Sequence, residues 1–219
     1  MNVYNYVIDG LNTCTELCRI GSEVGTDKSP YNKSNSVLNF RHSYTPFYSM
    51  IFSHIRDKKI NFGEIGIFKN SSIKMWREYF KNASIYAWDG SYENIENAEK
   101  DNLENVFYEF MHTEYENTII DAFSKLKCKL DILIDDASHN FWDQIRVIRN
   151  CTHYLNSGSM LIIEDVNNNI DEYEYIQEIK NYEHDKYYDS ISFINFNHSN
   201  RYLNGYDNDK IALLYRSNI

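Results

Sequence analysis

The sequence predicts a doubly wound α/β fold, a seven-stranded and mostly parallel sheet preceded by an N-terminal helical and loop lid. Two observations predict the sheet. Short apolar runs such as LDILIDD (130–136) and MLIIEDV (160–166) lack alternation, as strands buried on both faces do. Segments with helical periodicity separate them, which is the signature of parallel strands joined by crossovers. A third observation, 219 residues of which 42% are hydrophobic, bounds the chain to one structural unit with a sizeable core.

Residues 1–20 place Val3, Tyr6, Val7, Leu11 and Leu17 at helix-like spacing and read as a short helix or arm. Residues 21–39 are polar and rich in turn formers, with Gly21, Gly25 and Pro30, and read as a long loop of the kind that forms lids. A disordered tether is the alternative. Residues 42–57 repeat apolar positions at helical spacing (Phe47, Met50, Ile51, Ile55), so 1–57 is expected to be an arm and lid and 58–219 the sheet domain.

Strands are expected at 60–68, 83–90, 106–111, 130–136 and 160–166, with helices at 71–80, 92–103, 118–126 and 141–155. NSGS (156–159) reads as a turn before the fifth strand. After a polar helix at 172–185, strands at 190–196 and 210–216 are close enough to form an antiparallel hairpin.

Composition excludes several functions. With 22 basic and 32 acidic side chains the formal charge is −10, which disfavours a nucleic-acid partner. No run reaches the roughly 20 apolar residues of a membrane span, and the N-terminus lacks a secretory pattern, so a cytoplasmic location is expected. The four cysteines are too few for a disulfide framework. Cys14 and Cys18 are read as small buried residues on one helix face rather than half of a metal site. The 19 Tyr, 12 Phe and 3 Trp suit a compact aromatic globule, and tyrosine- and phenylalanine-rich ends could support a homodimer.

Ligands of open α/β sheets bind at the carboxyl ends of the strands, where strand order reverses. The first parallel strand ends in Glu64-Ile65-Gly66, a place for a tight turn, and the second in Asp89, where a carboxylate can accept the hydroxyls of an adenosine ribose. Asp135-Asp136 and Glu164-Asp165 end adjacent strands and crowd four carboxylates together. Such crowding calls for a cation, and hard oxygen donors select Mg²⁺ or Ca²⁺. Helix capping by Asp135 and Asp136 is the plainer alternative. His139, just past this strand, is placed to act as a general base beside a metal. Arg201 could meet a phosphate.

In order along the chain, G-T-D-K-S (25–29), His42-x-Tyr44-Thr45, E-I-G (64–66), M-W-R-E-Y-F (75–80), I-D-D-A-S-H (134–139), D-Q-I-R-V (143–147) and L-I-I-E-D-V (161–166) resemble a known family. It is that of the metal-dependent O-methyltransferases related to the macrocin and mycinamicin sugar methyltransferases. The resemblance implies the Rossmann-like sheet of class I methyltransferases, S-adenosylmethionine and Mg²⁺ as cofactors, and a sugar hydroxyl as substrate, in a nucleotide-activated sugar or a precursor of a polysaccharide. It implies that Asp136, Glu164 and Asp165 hold the metal and that His139 is the base, working with Asp136. Glu64, Gly66, Asp89, His112 and Asp135 would bind the cofactor, and Thr26, Asp27, Lys28 and His42 would close over cofactor or substrate.

Two segments depart from that pattern. Gly66 is followed by Ile67-Phe68-Lys69-Asn70-Ser71 without a further glycine, and Met111-His112-Thr113 stands where relatives often carry Gly-Asp-Gln. They define the competing expectation, a non-catalytic binding or assembly module on the same fold with a weakened cofactor loop. A nicotinamide-dependent oxidoreductase is disfavoured, since no G-x-G-x-x-G follows the first strand.

Overall fold

The computed structural model describes residues 1–10, 12–32, 41–197 and 209–218. In chain order its elements are β1 (Asn2–Asp9), α1 (Glu16–Val24), α2 (Tyr44–Phe52), β2 (Asn61–Ile65), α3 (Ser71–Tyr79), β3 (Ser84–Asp89), α4 (Tyr92–Glu99) and β4 (Val106–Phe110). There follow α5 (Glu116–Ser124), β5 (Leu130–Asp135), α6 (Phe141–Cys151), β6 (Leu155–Ile163), α7 (Glu172–Asn181), β7 (Tyr188–Asn197) and β8 (Lys210–Arg216). The strands form one eight-stranded sheet in the order β1-β7-β8-β6-β5-β2-β3-β4. All neighbours are parallel except β8, which runs antiparallel to both β6 and β7. From β2 the chain builds outward through β3 and β4, then returns to lay β5 and β6 on the other side. The carboxyl ends of β2 and β5 therefore flank the reversal point, where a cleft opens.

Helices cover both faces of the sheet. On one, Trp76 of α3 lies within 5.1–6.0 Å, centroid to centroid, of Phe62, Tyr48, Phe52 and Phe80. On the other, Phe141 and Tyr175 meet edge to face at 4.7 Å, and Trp88 meets Phe123 at 5.5 Å. Each such pair contributes about 0.5–1.5 kcal/mol beyond its buried area, so these aromatics are core, whereas others such as Tyr92, Trp142 and Tyr173 are exposed.

The sheet has eight strands rather than seven. β1 replaces the expected helix: NVYNYVID is β-branched and aromatic, and it pairs in parallel with β7 from Asn2 to Asp9. Both its faces are largely exposed, so the alternation that marks a half-buried strand is missing. The expected loop at 21–39 starts late, because α1 runs through Gly21. A Cβ there would lie 3.0 Å from Ser29 Cβ and 3.1 Å from Met75 Sδ, so this glycine serves close packing rather than a turn. α1 ends at Gly25, whose φ of 79° makes the left-handed cap. Residues 33–40 lie outside the described residues. NSGS is not a turn but the start of β6, where Gly158 (φ 75°) and a register shift against β5 let the strand begin at Leu155. The antiparallel pairing of the last two strands is as expected; their connection, with His198 and Arg201, lies outside the described residues. Cys14 is exposed and precedes α1, whereas Cys18 is buried within it, so the two share no helix face. Among the described residues no helix is long and apolar enough to cross a membrane.

Candidate functional site

Four strand ends, those of β2, β3, β5 and β6, meet at the cleft, tied by backbone hydrogen bonds at or just past the ladders. Gly66 N–H donates to Trp88 O (2.7 Å), Asp136 N–H to Ile65 O (2.9 Å) and Glu164 N–H to Asp135 O (2.9 Å). Gly66 has φ of 90°, and a Cβ there would lie 2.1 Å from the Asp136 carbonyl oxygen, so the turns after β2 and β5 cross at a spacing only glycine permits. His139 and Asp165 also sit in the left-handed region, at φ 57° and 53°. Such strain at non-glycine residues persists where surrounding structure over-determines it.

The carboxylates divide into two groups. Asp136 Oδ1 and Asp165 Oδ2 face His139 Nε2 at 3.1 and 3.3 Å, and the three residues offer ligand atoms within 4.8 Å of one another. Behind them, Asp136 Oδ2 and Glu164 Oε2 are bridged by Lys28 Nζ, whose side chain is 1% exposed. Tyr48 hydroxyl donates to Glu164 Oε1 (2.5 Å) and Tyr44 hydroxyl to Asp165 Oδ1 (2.6 Å). The cation that the crowding called for is thus partly supplied by the chain. Capping does not explain Asp136, because Asn140 caps α6 and accepts from Trp142 N–H. Asp135 is buried, accepts from Ala137 N–H through Oδ1 and leaves Oδ2 without a partner.

Burial and charge shift these groups in opposite senses. Burial alone would raise the Asp136 carboxyl, but Lys28 and His139 outweigh it and hold it at about 2. Burial would lower His139, and the hydrogen bond to Asp136 with the charge of Asp165 lifts it instead to about 9. His42 behaves alike: burial is overcome by Asp165 and by the 2.7 Å bond from Nδ1 to Asp209, which leave it at about 10. Asp135, buried with one oxygen unpaired, is pushed up to about 7. Burial raises Glu164 well above the usual carboxylate range despite Lys28.

The cleft holds about 740 Å³, and its wall includes Thr26, His42, Gly66, Asp89, His112 and His139. That volume suits a ligand of cofactor size. Glu64, Lys28 and Asp135 are buried beside it rather than lining it. Glu64 accepts from Ser72 Oγ and Trp76 Nε1, which ties the end of β2 to α3. Asp89 accepts four hydrogen bonds: Ile67 N–H (3.1 Å) and Phe68 N–H (3.0 Å) on Oδ2, Ser91 N–H (2.8 Å) and Asn94 Nδ2 (3.1 Å) on Oδ1. The glycine-poor loop is therefore folded back onto the acid at the end of β3. His112 packs against Gly90, and its Nδ1 is buried without a partner.

Sequence reasoning placed Tyr44 in a motif without giving it a role, and missed Tyr48. Their spacing was the available signal, since residues four apart on one helix share a face. It also missed Gln144, whose side-chain amide donates to the Glu164 carbonyl (2.9 Å) while its oxygen accepts from Tyr175 hydroxyl.

No family model matches the chain. Over 132 residues, 57% of the chain, it is 24% identical to 8-demethyl-8-alpha-L-rhamnosyl tetracenomycin-C 2'-O-methyltransferase of Streptomyces olivaceus. Over 132 residues it is 26% identical to 8-demethyl-8-(2-methoxy-alpha-L-rhamnosyl)-tetracenomycin-C 3'-O-methyltransferase of the same organism. The match covers 33% and 32% of those proteins, so the chain spans about a third of the length of the curated relatives it matches. Among solved structures it resembles MycE methyltransferase of the mycinamycin biosynthetic pathway in complex with Mg and SAH (TM-score 0.64, 17% identity, 94% of this chain and 55% of that one). A putative O-methyltransferase from Klebsiella pneumoniae superposes at TM-score 0.58 with 13% identity, covering 95% and 93%. The chain thus shares the Rossmann-like fold of these methyltransferases, and its sequence likeness is to sugar O-methyltransferases.

Proposed function

We propose that the chain is an S-adenosylmethionine- and Mg²⁺-dependent O-methyltransferase acting on a sugar hydroxyl, in a nucleotide-activated sugar or a glycan precursor. One observation carries the reading: Asp136, His139 and Asp165 converge at the mouth of a cleft that extends over Gly66 and Asp89. The residues fit both groups. Mg²⁺ needs only one or two carboxylates and keeps several waters, which Asp136 and Asp165 satisfy. The unpartnered Nδ1 of His112, in the wall of a cleft that also runs past Gly66 and Asp89, suits an adenosine-bearing cofactor.

When bound, the cofactor supplies a methyl group on sulfonium sulfur and the ion supplies a Lewis acid for the accepting hydroxyl. With an ion on Asp136 and Asp165, the carboxylate charge that raises His139 would be neutralised, and the freed imidazole would take the hydroxyl proton at Nε2. Tyr44 and His42 hold Asp165 Oδ1 from behind, so its Oδ2 faces His139. Thr26, Asp27 and His42, from the arm and lid segment, wall the cleft against water. A cytoplasmic location and a homodimer belong to the same reading; the exposed Val3, Tyr4, Tyr6 and Val7 of β1 are the dimer surface.

Methyl transfer from S-adenosylmethionine to a panel of nucleotide-sugars and glycosides, with and without Mg²⁺, tests the proposal. Metal-dependent product is expected, and metal-independent transfer would count against it.

A second reading, a non-catalytic module, is favoured by the fourfold occupancy of Asp89, which leaves no lone pair for ribose hydroxyls unless the 67–68 turn opens. Calorimetry with S-adenosylmethionine separates the two, since no binding at millimolar cofactor supports the module.

A further inference from the structure

We propose that β1 pairs edge to edge and antiparallel with β1 of a second copy of the chain, joining two eight-stranded sheets about a two-fold axis at Asn5. This rests on the homodimer reading above and deepens it, giving the mode of contact and its register. Three observations carry it.

First, β1 is an edge without protection. It ends the sheet beyond β7 and pairs with β7 residue for residue from Asn2 to Asp9, with no bulge to turn its outer side away. Its outward N–H and C=O groups form an open template, which natural edges blunt with lysine, proline, bulges or short length. NVYNYVID has eight residues, no lysine, no proline and one charge, Asp9, at its last position. The opposite edge of the sheet differs. There β4 has five residues and carries Glu109, paired with Lys125 at 3.1 Å.

Second, apolar side chains lie on both faces of this edge. Ile8 packs against the core that contains Trp76, and Met1 against the core that contains Phe141. Alternation therefore puts Tyr4, Tyr6 and Ile8 on one face and Val3, Asn5 and Val7 on the other. Val3, Tyr4, Tyr6 and Val7 are left 44–66% exposed.

Third, the pattern is self-complementary in one register. An axis through Asn5 sets Tyr4 opposite the partner's Tyr6 and Val3 opposite the partner's Val7, each on its own face, and brings the two Asn5 amides together to donate to one another. The paired segment 2–8 is uncharged, and the two Asp9 carboxylates lie at opposite ends of the ribbon. Moving the axis to Tyr6 would put Val3 opposite the partner's Asp9, and moving it to Tyr4 would shorten the pairing to residues 2–6. Each copy carries a formal charge of −10, so an uncharged strip is where like molecules can meet. Each half-exposed tyrosine offers roughly 100 Å², which with the main chain places the contact among small, reversible interfaces.

Sedimentation equilibrium on the intact chain tests this, with a dimer of dissociation constant about 1–100 μM expected. Added salt should leave association unchanged or strengthen it, by screening repulsion between the acidic copies. Tyr4→Lys combined with Tyr6→Lys sets like charges opposite across the axis and should weaken association by at least about tenfold. Tyr4→Glu combined with Tyr6→Glu should do the same, and an equimolar mixture of the two double variants should dimerise again. Both tyrosines are exposed, so the fold is expected to survive these changes. Oxidative cross-linking reads the register, in a Cys14→Ser background that removes the exposed native thiol. Asn5→Cys should cross-link, because opposite Cβ atoms lie about 4.5–5.5 Å apart. Val7→Cys should not, because four residues of strand rise set it about 13 Å from its own counterpart. A monomer at every concentration overturns both the proposal and the homodimer reading. A dimer that survives the lysine substitutions, or that cross-links as readily at Val7→Cys as at Asn5→Cys, overturns the edge pairing and leaves a dimer through another surface. Neither result bears on methyl transfer, which is measured separately.

Discussion

Gly66 lies against the backbone of Asp136, so close that a Cβ on the glycine would come within 2.1 Å of the Asp136 carbonyl oxygen. Residues 66 and 136 come from the two strands that flank the reversal of strand order, and their contact sets the floor of the cleft. Gly66→Ala combines a left-handed φ with a backbone clash and should destabilise the protein by at least about 3 kcal/mol. Urea denaturation measures it; a midpoint equal to wild type would show that the turns separate freely.

His139→Ala should lower methyl transfer by about 10²–10⁴-fold, the usual contribution of a general base, while S-adenosylmethionine binding stays within a few fold. Turnover and calorimetry on the same preparation decide it. Wild-type turnover would remove the base assignment.

Glu64 makes a pH prediction. Burial pushes its carboxyl from 4.5 up to about 7, against the pull of Lys28 and the hydrogen bonds from Ser72 and Trp76. A folded pKa above the unfolded one means that the stability this group contributes is complete below about pH 4.5 and is lost as pH rises through about 7. The loss is on the order of 3 kcal/mol across that window. Glu64→Gln should flatten this part of the stability profile, as read from thermal unfolding at stepped pH. An unchanged slope in the variant would assign the dependence to another group.

Phe68 tests the cofactor loop. It has φ of 44°, and its ring is 67% exposed, so the backbone strain is not offset by packing. Phe68→Gly should be neutral or stabilising by up to about 1 kcal/mol and should tighten S-adenosylmethionine binding by letting the turn swing off Asp89. Weaker binding in the variant would show that the turn is already competent.

The central strands and their terminal acids were legible because β5 is buried on both faces and its apolar run stops at two aspartates. β1 was not, because a strand exposed on both faces has no period of two and its valines and tyrosines fall by chance at helical spacing. Asp136, His139 and Asp165 could be drawn together from adjacency of strand ends alone. Lys28 could not be placed among them: it lies 108 and 136 residues from its two partners, inside a polar stretch that reads as loop. Nor does a sequence show that a lysine, rather than an added ion, answers a cluster of acids. That depends on the path of the backbone between α1 and α2.

Glu164 is held from both layers of the fold. Its side chain answers to Lys28 and Tyr48 on one face of the sheet, while its carbonyl is gripped by Gln144, itself braced by Tyr175 of α7 on the other. The turn carrying Asp165 is thus a meeting point of two otherwise separate cores. Repacking α7, remote from any substrate, would be felt at the reacting end of β6 through a single amide.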